Sequence, residues 1–279
     1  LMVVSLTRTT SMPTAQCQLC YTQQWRIFSH ISFGIWDENG QVLTRKSSDY
    51  PLSTCQHCGH VQISSKYTSK LFKKLYFHSK QEAVMWHESL VNDNRPYEEM
   101  INFALGDSAP EIVVDLGCGE GKLLEAANRV TPKSTLIGID FNNRFSQNNI
   151  RYLSFDLNHL NNLPNNYWPN GIDLAMASHV LEHVINPVEF LRQIKKQLSP
   201  NGVIFIEVPD FSERHNIDSI GMSNLINLQH IHYFTADSLT YAAQLAGLEV
   251  TKLTRVTTGY IPRLLVLLSP SQLEQICIS

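Results

Sequence analysis

The sequence predicts a mixed α/β protein in which an open parallel sheet with helices on both faces follows a small metal-binding β-hairpin module. From residue 111 the chain alternates apolar strand, turn and amphipathic helix, which is the order of a doubly wound sheet. Ahead of this region, two Cys-x-x-Cys pairs flank a hairpin pattern. We therefore expect a zinc-binding module in residues 13–66 and a larger domain in residues 67–279.

The composition is that of an ordinary globular protein and disfavours two kinds of partner. Apolar residues make up 43% of the chain and charged residues 17%, which allows a large buried core. The formal net charge of −3 does not favour binding to nucleic acid. No apolar run approaches the ~20 residues of a membrane span, and the first residues are too short for a signal peptide. We expect a cytoplasmic protein with no membrane partner.

Four of the six cysteines have the spacing of two zinc knuckles. The pairs are Cys17 with Cys20 and Cys55 with Cys58. Four thiolates complete a tetrahedral zinc shell and leave no open position for a substrate, so the predicted zinc is structural. His57 and His60 lie beside the second pair and are alternative ligands, although we expect both to be exposed loop residues.

The insert between the two pairs predicts a β-hairpin. Residues 31–36 and 41–44 have strand character, and Asn39 and Gly40 between them form the favoured pair for a type I′ turn. A hairpin with one knuckle at each end would close around the metal.

The first strand, turn and helix of the larger domain predict a ligand-binding loop. An apolar strand over residues 112–116 contains Asp115 near its end and leads into Gly117, Gly119 and Gly121, after which residues 122–130 form a helix. This spacing differs from the dinucleotide fingerprint, which meets a pyrophosphate. The pattern instead favours S-adenosylmethionine as the ligand. This cofactor has no pyrophosphate, and its cationic amino group suits an acid before the turn. We place Cys118 in the same loop as a small packing residue, not a nucleophile.

The next two strands also end in acids. Asp140 follows the strand over residues 135–139 at the position from which a carboxylate can accept both ribose hydroxyls. Phe141 would then lie against the adenine, and Asp156 with Leu157 would meet its edge. Because open α/β sheets bind ligands at the carboxyl ends of their strands, these acids predict one cofactor site.

Four segments resemble motifs of the class I S-adenosylmethionine-dependent methyltransferases: residues 114–121 (VDLGCGEG), 138–140 (GID), 178–184 (SHVLEHV) and 198–202 (LSPNG). Residues 58–62 (CGHVQ) and 76–79 (YFHS), with the cysteine pairs, resemble the zinc-containing methyltransferases of nucleotide-linked deoxysugars. The resemblance implies a Rossmann-like sheet, S-adenosylmethionine as cofactor and a small polar acceptor of the nucleotide-sugar class. Nucleic acid is not the expected partner.

The sequence departs from that family in two places. Family members that methylate keto sugars at carbon carry a further C-terminal domain, whereas residues 263–268 are the last predicted strand here. Asn201 stands where the family commonly has glycine, and we expect it to keep the turn in a left-handed conformation.

Several residues are candidates for the acceptor side. His230 and His232 precede a predicted helix over residues 236–246, and one of them is expected to act as general base. His179 and Glu182 follow the fourth strand, whose last residue, Ser178, is expected to contact the cofactor. Tyr76 is expected to cover the cofactor. Asp210 and His183 are the alternative bases.

Two other functions remain open from the sequence. A zinc-containing rRNA or tRNA methyltransferase would need a basic face, and the sequence offers only a short lysine cluster over residues 66–74. A non-catalytic interaction module would not need the glycines and acids of the cofactor loop.

Overall fold

A computed structural model describes residues 15–36, 42–68, 96–141, 149–216, 225–226, 228–257 and 261–271. Tyr76, the Asn39–Gly40 turn and most of the lysine cluster over residues 66–74 lie outside the described residues. Within the described ranges, no helix is long and apolar enough to cross a membrane.

The N-terminal module contains the predicted hairpin, in longer form. Strand β1 spans Trp25–Trp36 and pairs antiparallel with β2, Val42–Cys55. Strand β3, Val61–Ile63, continues the sheet on the other side of β2. The fourth strand, β9 at His232–Tyr233, comes from the larger domain and pairs with β3. The module is thus joined to the larger domain by backbone hydrogen bonds.

The larger domain contains the predicted parallel sheet. Its strands are β4 (Ile112–Leu116), β5 (Thr135–Asp140), β6 (Ile150–Ser154), β7 (Ile172–Ser178), β8 (Leu198–Pro209), β10 (Leu248–Val256) and β11 (Arg263–Pro270). The order across the sheet is β10-β11-β8-β7-β4-β5-β6. Strands β6, β5, β4, β7 and β8 are parallel, and β11 runs antiparallel to β8. The carboxyl ends of β4, β5 and β7 therefore meet at one edge.

Helices cover both faces of this sheet. They are α1 (Tyr97–Leu105), α2 (Lys122–Val130), α3 (Pro187–Lys195) and α4 (Ala236–Leu245). Successive residues of a strand point to opposite faces: Val113 joins the core formed with α1 and α2, and Val114 joins the core formed with α3 and α4. The α4 N-terminus has a capping box between Thr235 and Ser238, which supports the predicted start of this helix.

The predicted left-handed turn at Asn201 is wrong. Strand β8 already begins at Leu198, and Asn201 does not have a positive φ. Ile172 pairs with Leu198 but Leu174 pairs with Val203, so an irregularity in the register takes up the extra residues.

Candidate active site and metal centre

The two cysteine pairs converge where the hairpin closes. Cys55 ends β2 opposite Trp25, the first residue of β1. The Sγ atoms of Cys17 and Cys58 are 3.6 Å apart and those of Cys20 and Cys55 are 3.4 Å apart, and all four lie within 4.8 Å of one another. Thiolates bound tetrahedrally at about 2.3 Å from zinc would be about 3.8 Å apart. The cluster is therefore compatible with one zinc ion.

Hydrogen bonding between Cys17 and Cys58 shifts the pKa values of these two thiols in opposite directions. The contact with Cys17 lowers the pKa of Cys58 to about 5, although burial opposes the shift. The same contact, with burial, raises the pKa of Cys17. Cys58 is therefore the thiol of this pair that ionises more readily, and the thiolate is the form that binds a metal.

The glycine turn lies at the carboxyl ends of β4 and β5. Gly117 and Gly121 have backbone φ values of +78° and +85°, which residues other than glycine rarely adopt. A Cβ on Gly117 would collide with Val180, so this turn packs directly against the segment that follows β7. The backbone N–H of Gly119 donates a 3.0 Å hydrogen bond to Oδ2 of Asp140. The turn and the acid after β5 thus form one unit.

A second polar group follows β7. His179 has a left-handed φ of +54°, an unusual conformation for a non-glycine residue that often marks functional sites. Its Nδ1 lies 3.2 Å from Oε1 of Glu182, and its Nε2 lies 3.8 Å from Oε2 of Glu207. Glu207 also accepts a 2.5 Å hydrogen bond from the Ser178 hydroxyl and pairs with Arg263 at 3.0 Å. These side chains form a charged cluster at the same edge as the glycine turn.

The comparisons with known proteins agree with this arrangement. A sequence profile of the family described as "Methyltransferase domain" matches residues 86–253, more than half of the 279 residues. The chain belongs to this methyltransferase family. Its fold is similar to that of human N-acetylserotonin methyltransferase in complex with SAM (S-adenosylmethionine), with a TM-score of 0.56, 17% identity and coverage of 74% of this chain and 61% of the other. The Rossmann-like α/β prediction is therefore confirmed.

Curated relatives match over shorter stretches. The chain is 31% identical over 109 residues to the mitochondrial ubiquinone biosynthesis O-methyltransferase of Dictyostelium discoideum, covering 34% of each chain. It is 30% identical over 124 residues to an uncharacterised 37.1 kDa transposon protein of Streptomyces fradiae, covering 42% of this chain and 35% of the other. The chain thus spans about a third of the length of these relatives.

The other predicted cofactor residues lie at or just after the carboxyl ends of β4, β5 and β6. Asp115 and Cys118 are buried, and Phe141 is half-buried at the end of β5. Leu157 is buried, and its Cδ1 would lie 3.7 Å from a Cβ on Gly117. Asp156 uses Oδ1 to accept the backbone N–H of Asn158 and so caps the short 3₁₀ helix Leu157–Asn162. The Asp156 side chain therefore already has a structural role.

The two histidines predicted as bases are enclosed. His232 is 1% exposed; its Nδ1 lies 3.1 Å from Nε2 of His60 and its Nε2 lies 3.4 Å from the carbonyl oxygen of Ile185. Burial lowers the pKa of His232 to about 4. Burial and the neighbouring His183 lower the pKa of His230 to about 3. His232, with both ring nitrogens in contact, is poorly placed to receive a proton from an acceptor, which speaks against its prediction as the base.

The alternative base Asp210 is also enclosed. Its carboxylate is fully buried, accepts a hydrogen bond from the Ser212 hydroxyl and lies 3.1 Å from Nε of Arg255. Asp210 therefore links the segment after β8 to Arg255 in β10, and its buried carboxylate already has two partners.

Sequence reasoning missed Glu207 and Arg263 and expected His60 to be exposed. His60 is fully buried and stacks on His232 at a ring-centroid distance of 5.3 Å. The pKa of Glu182 would be raised by burial, but the hydrogen bond from His179 and the neighbouring histidines lower it to about 2. Glu182 lies three residues after His179, and one turn brings the two side chains together.

We expect Arg263→Met to lower the free energy of unfolding by about 3 to 5 kcal/mol, because it leaves the Glu207 carboxylate buried without its cation. Urea unfolding measures this change. The matched control is Arg129→Met, whose partner Glu98 is 2.6 Å away but whose side chain is 58% exposed. A surface pair contributes about 0 to 1 kcal/mol. Equal losses in the two variants would contradict the prediction.

Proposed function

We propose that the chain is an active methyltransferase that uses S-adenosylmethionine and modifies a small polar metabolite, with nucleotide-linked sugars as the favoured acceptor class. One observation carries this proposal: the glycine turn packs against Val180, which lies in the chain between His179 and Glu182. A cofactor held by the turn would therefore adjoin the charged cluster. Such a cluster suits an acceptor with several hydroxyl groups.

Three acids, four loop residues and three neighbours would hold the cofactor. They are Asp115, Asp140, Asp156, Gly117, Cys118, Gly119, Gly121, Phe141, Leu157 and Ser178. Asp140 is the acceptor for the ribose hydroxyls, since its carboxylate already binds a neutral N–H donor of the turn. Phe141 and Leu157 offer the apolar surface that an adenine ring needs. When bound, S-adenosylmethionine supplies an electrophilic methyl group.

His179 is the favoured residue for handling the acceptor. Its side chain is 26% exposed, whereas those of its partners Glu182 and Glu207 are at most 2% exposed. With Glu182 accepting from Nδ1–H, the lone pair of the imidazole is at Nε2. His179 would accept the proton of an acceptor hydroxyl at Nε2, and Glu182 would hold the ring in this tautomer.

The cysteine cluster would bind one structural zinc ion. The Sγ distances fit a tetrahedral site, and four protein ligands leave no position for chemistry. Zinc would fix the hairpin that presents β3 to β9, and with it the contact between His60 and His232.

Replacing Asp140 by Asn should weaken binding of S-adenosylhomocysteine, the demethylated product, by roughly tenfold to 150-fold. The change removes a charged acceptor of ribose hydrogen bonds, each worth about 1.5 to 3 kcal/mol. Titration calorimetry measures the affinity. Asp237→Asn, at an exposed position in the first turn of α4, is the control and should bind normally. Unchanged affinity in Asp140→Asn would move the cofactor elsewhere.

The acceptor class is tested by label transfer from methyl-labelled S-adenosylmethionine. We expect label in one or more nucleoside-diphosphate deoxysugars and none in total tRNA or rRNA. Transfer to RNA alone would overturn the proposed acceptor while leaving the methyltransferase assignment intact. Absence of cofactor binding would instead favour a non-catalytic module.

A further inference from the structure

We propose that Glu182, His183 and His230 form a second metal site, distinct from the cysteine cluster, that binds a divalent first-row transition metal ion. The three side chains come from two separate segments, one after β7 and one before β9. The inference goes beyond the proposed methyl transfer, which does not require this ion.

The spacing of the three side chains fits one ion. One ligand atom from each residue lies within 4.8 Å of the other two, and Nε2 of His183 is 3.8 Å from Oε1 of Glu182. Nitrogen and oxygen ligands at about 2.0 to 2.1 Å from a tetrahedral ion would be about 3.4 Å apart. A contraction of a few tenths of an ångström therefore brings this pair to ligand spacing.

Both imidazoles are held in the tautomer that a metal ligand needs. Nδ1 of His183 donates to the carbonyl oxygen of Gln229 at 3.0 Å, and Nδ1 of His230 donates to the carbonyl oxygen of Leu225 at 2.7 Å. A donor at Nδ1 places the lone pair of each neutral ring at Nε2. Metal-binding histidines almost always donate their other ring N–H in this way, which fixes the ring orientation.

The carboxylate supplies an independent observation. Glu182 is 1% exposed, and while Oε1 accepts from His179, Oε2 is buried with no hydrogen-bond partner in the part of the chain that the structure describes. A buried carboxylate oxygen without a partner is costly, since it loses its hydration without replacement. A cation bound by both oxygens of the carboxylate would remove this cost, and the contact of Oε1 with His179 would orient the carboxylate.

The ligand set indicates the class of ion. Two imidazoles and one carboxylate suit zinc, iron, cobalt or nickel better than magnesium or calcium, which prefer oxygen ligands. Three protein ligands leave coordination positions open. Two side chains beside Glu182 are partly exposed, His183 at 19% and His179 at 26%, so solvent reaches the surroundings of the site. An acceptor oxygen could therefore reach the ion.

The test counts metal ions in the full chain. Protein whose cysteine cluster is filled with zinc is titrated with Co²⁺, and bound metal is measured by elemental analysis after gel filtration. We expect one zinc and one cobalt per chain, with a cobalt spectrum that lacks thiolate charge-transfer bands. Glu182→Gln and His183→Asn should weaken cobalt binding by at least about 100-fold and keep the zinc. His30→Gln, at an exposed histidine of β1, should bind both ions.

Three outcomes would overturn the second site: no cobalt in the wild-type protein, a cobalt spectrum of thiolate ligation, or undiminished cobalt binding in both variants. If Glu182→Gln fails to fold in a thermal unfolding measurement, His183→Asn decides, because its side chain is partly exposed. Cofactor binding, measured as in the Asp140→Asn experiment, separates this proposal from methyl transfer. Cofactor binding without cobalt binding rejects the site alone, whereas cobalt binding without cofactor binding rejects the methyltransferase assignment alone.

Discussion

A Cys55→Ser variant should lose its zinc and unfold the hairpin module while most of the larger sheet stays folded. The module has a small core, and a structural zinc site contributes on the order of 10 kcal/mol to folding. Removing one of four thiolates takes away most of this free energy. Limited proteolysis should cut β1 and β2, and elemental analysis should find less than one zinc per chain.

The matched control is Cys118→Ser, since Cys118 is also buried but lies outside the cysteine cluster. This variant should retain one zinc and a protease-resistant hairpin. Unchanged protease resistance in Cys55→Ser, or a wild-type protein that contains no zinc after purification without chelator, would reject the structural zinc.

Unfolding of the module should also perturb the larger domain, because direct contacts connect the two. Strand β3 pairs with β9, and the Cys55 N–H donates a 2.8 Å hydrogen bond to the carbonyl oxygen of His60. His60 in turn packs against His232, whose backbone N–H donates to the carbonyl oxygen of Glu182 at 3.1 Å. The second knuckle is thus connected to the cluster at His179 through a short series of direct contacts.

The parallel sheet and the cysteine pairs could be predicted because their signals are local. Buried parallel strands appear as continuous apolar runs, as in residues 112–116, and their ends are marked by acids or glycines. A knuckle is defined by a spacing of two residues. Both patterns can be read without knowing what the rest of the chain does.

The acceptor side could not be predicted in the same way, because long-range contacts define it. Strand β9 has two residues and no periodicity of its own, yet its pairing with β3 buries His232 against His60. The partner of Arg263 in β11 is Glu207 in β8, and a single sequence gives no sign of that register. The left-handed conformation of His179 is likewise imposed by its surroundings and not by its residue type.

Replacing His179 by Asn should lower kcat by about 10² to 10⁴ and leave the affinity for S-adenosylhomocysteine nearly unchanged, because the change removes the proposed proton acceptor but none of the cofactor contacts. Asn is chosen because it tolerates the left-handed backbone that His179 adopts, so a loss of activity would not reflect strain. Single-turnover methyl transfer and calorimetry give the two readouts. His215→Asn, at an exposed histidine in the 3₁₀ helix Phe211–Asn216, is the control and should keep full activity. An unchanged kcat, or a kcat and affinity that fall together, would show that proton removal occurs elsewhere or is not part of the reaction.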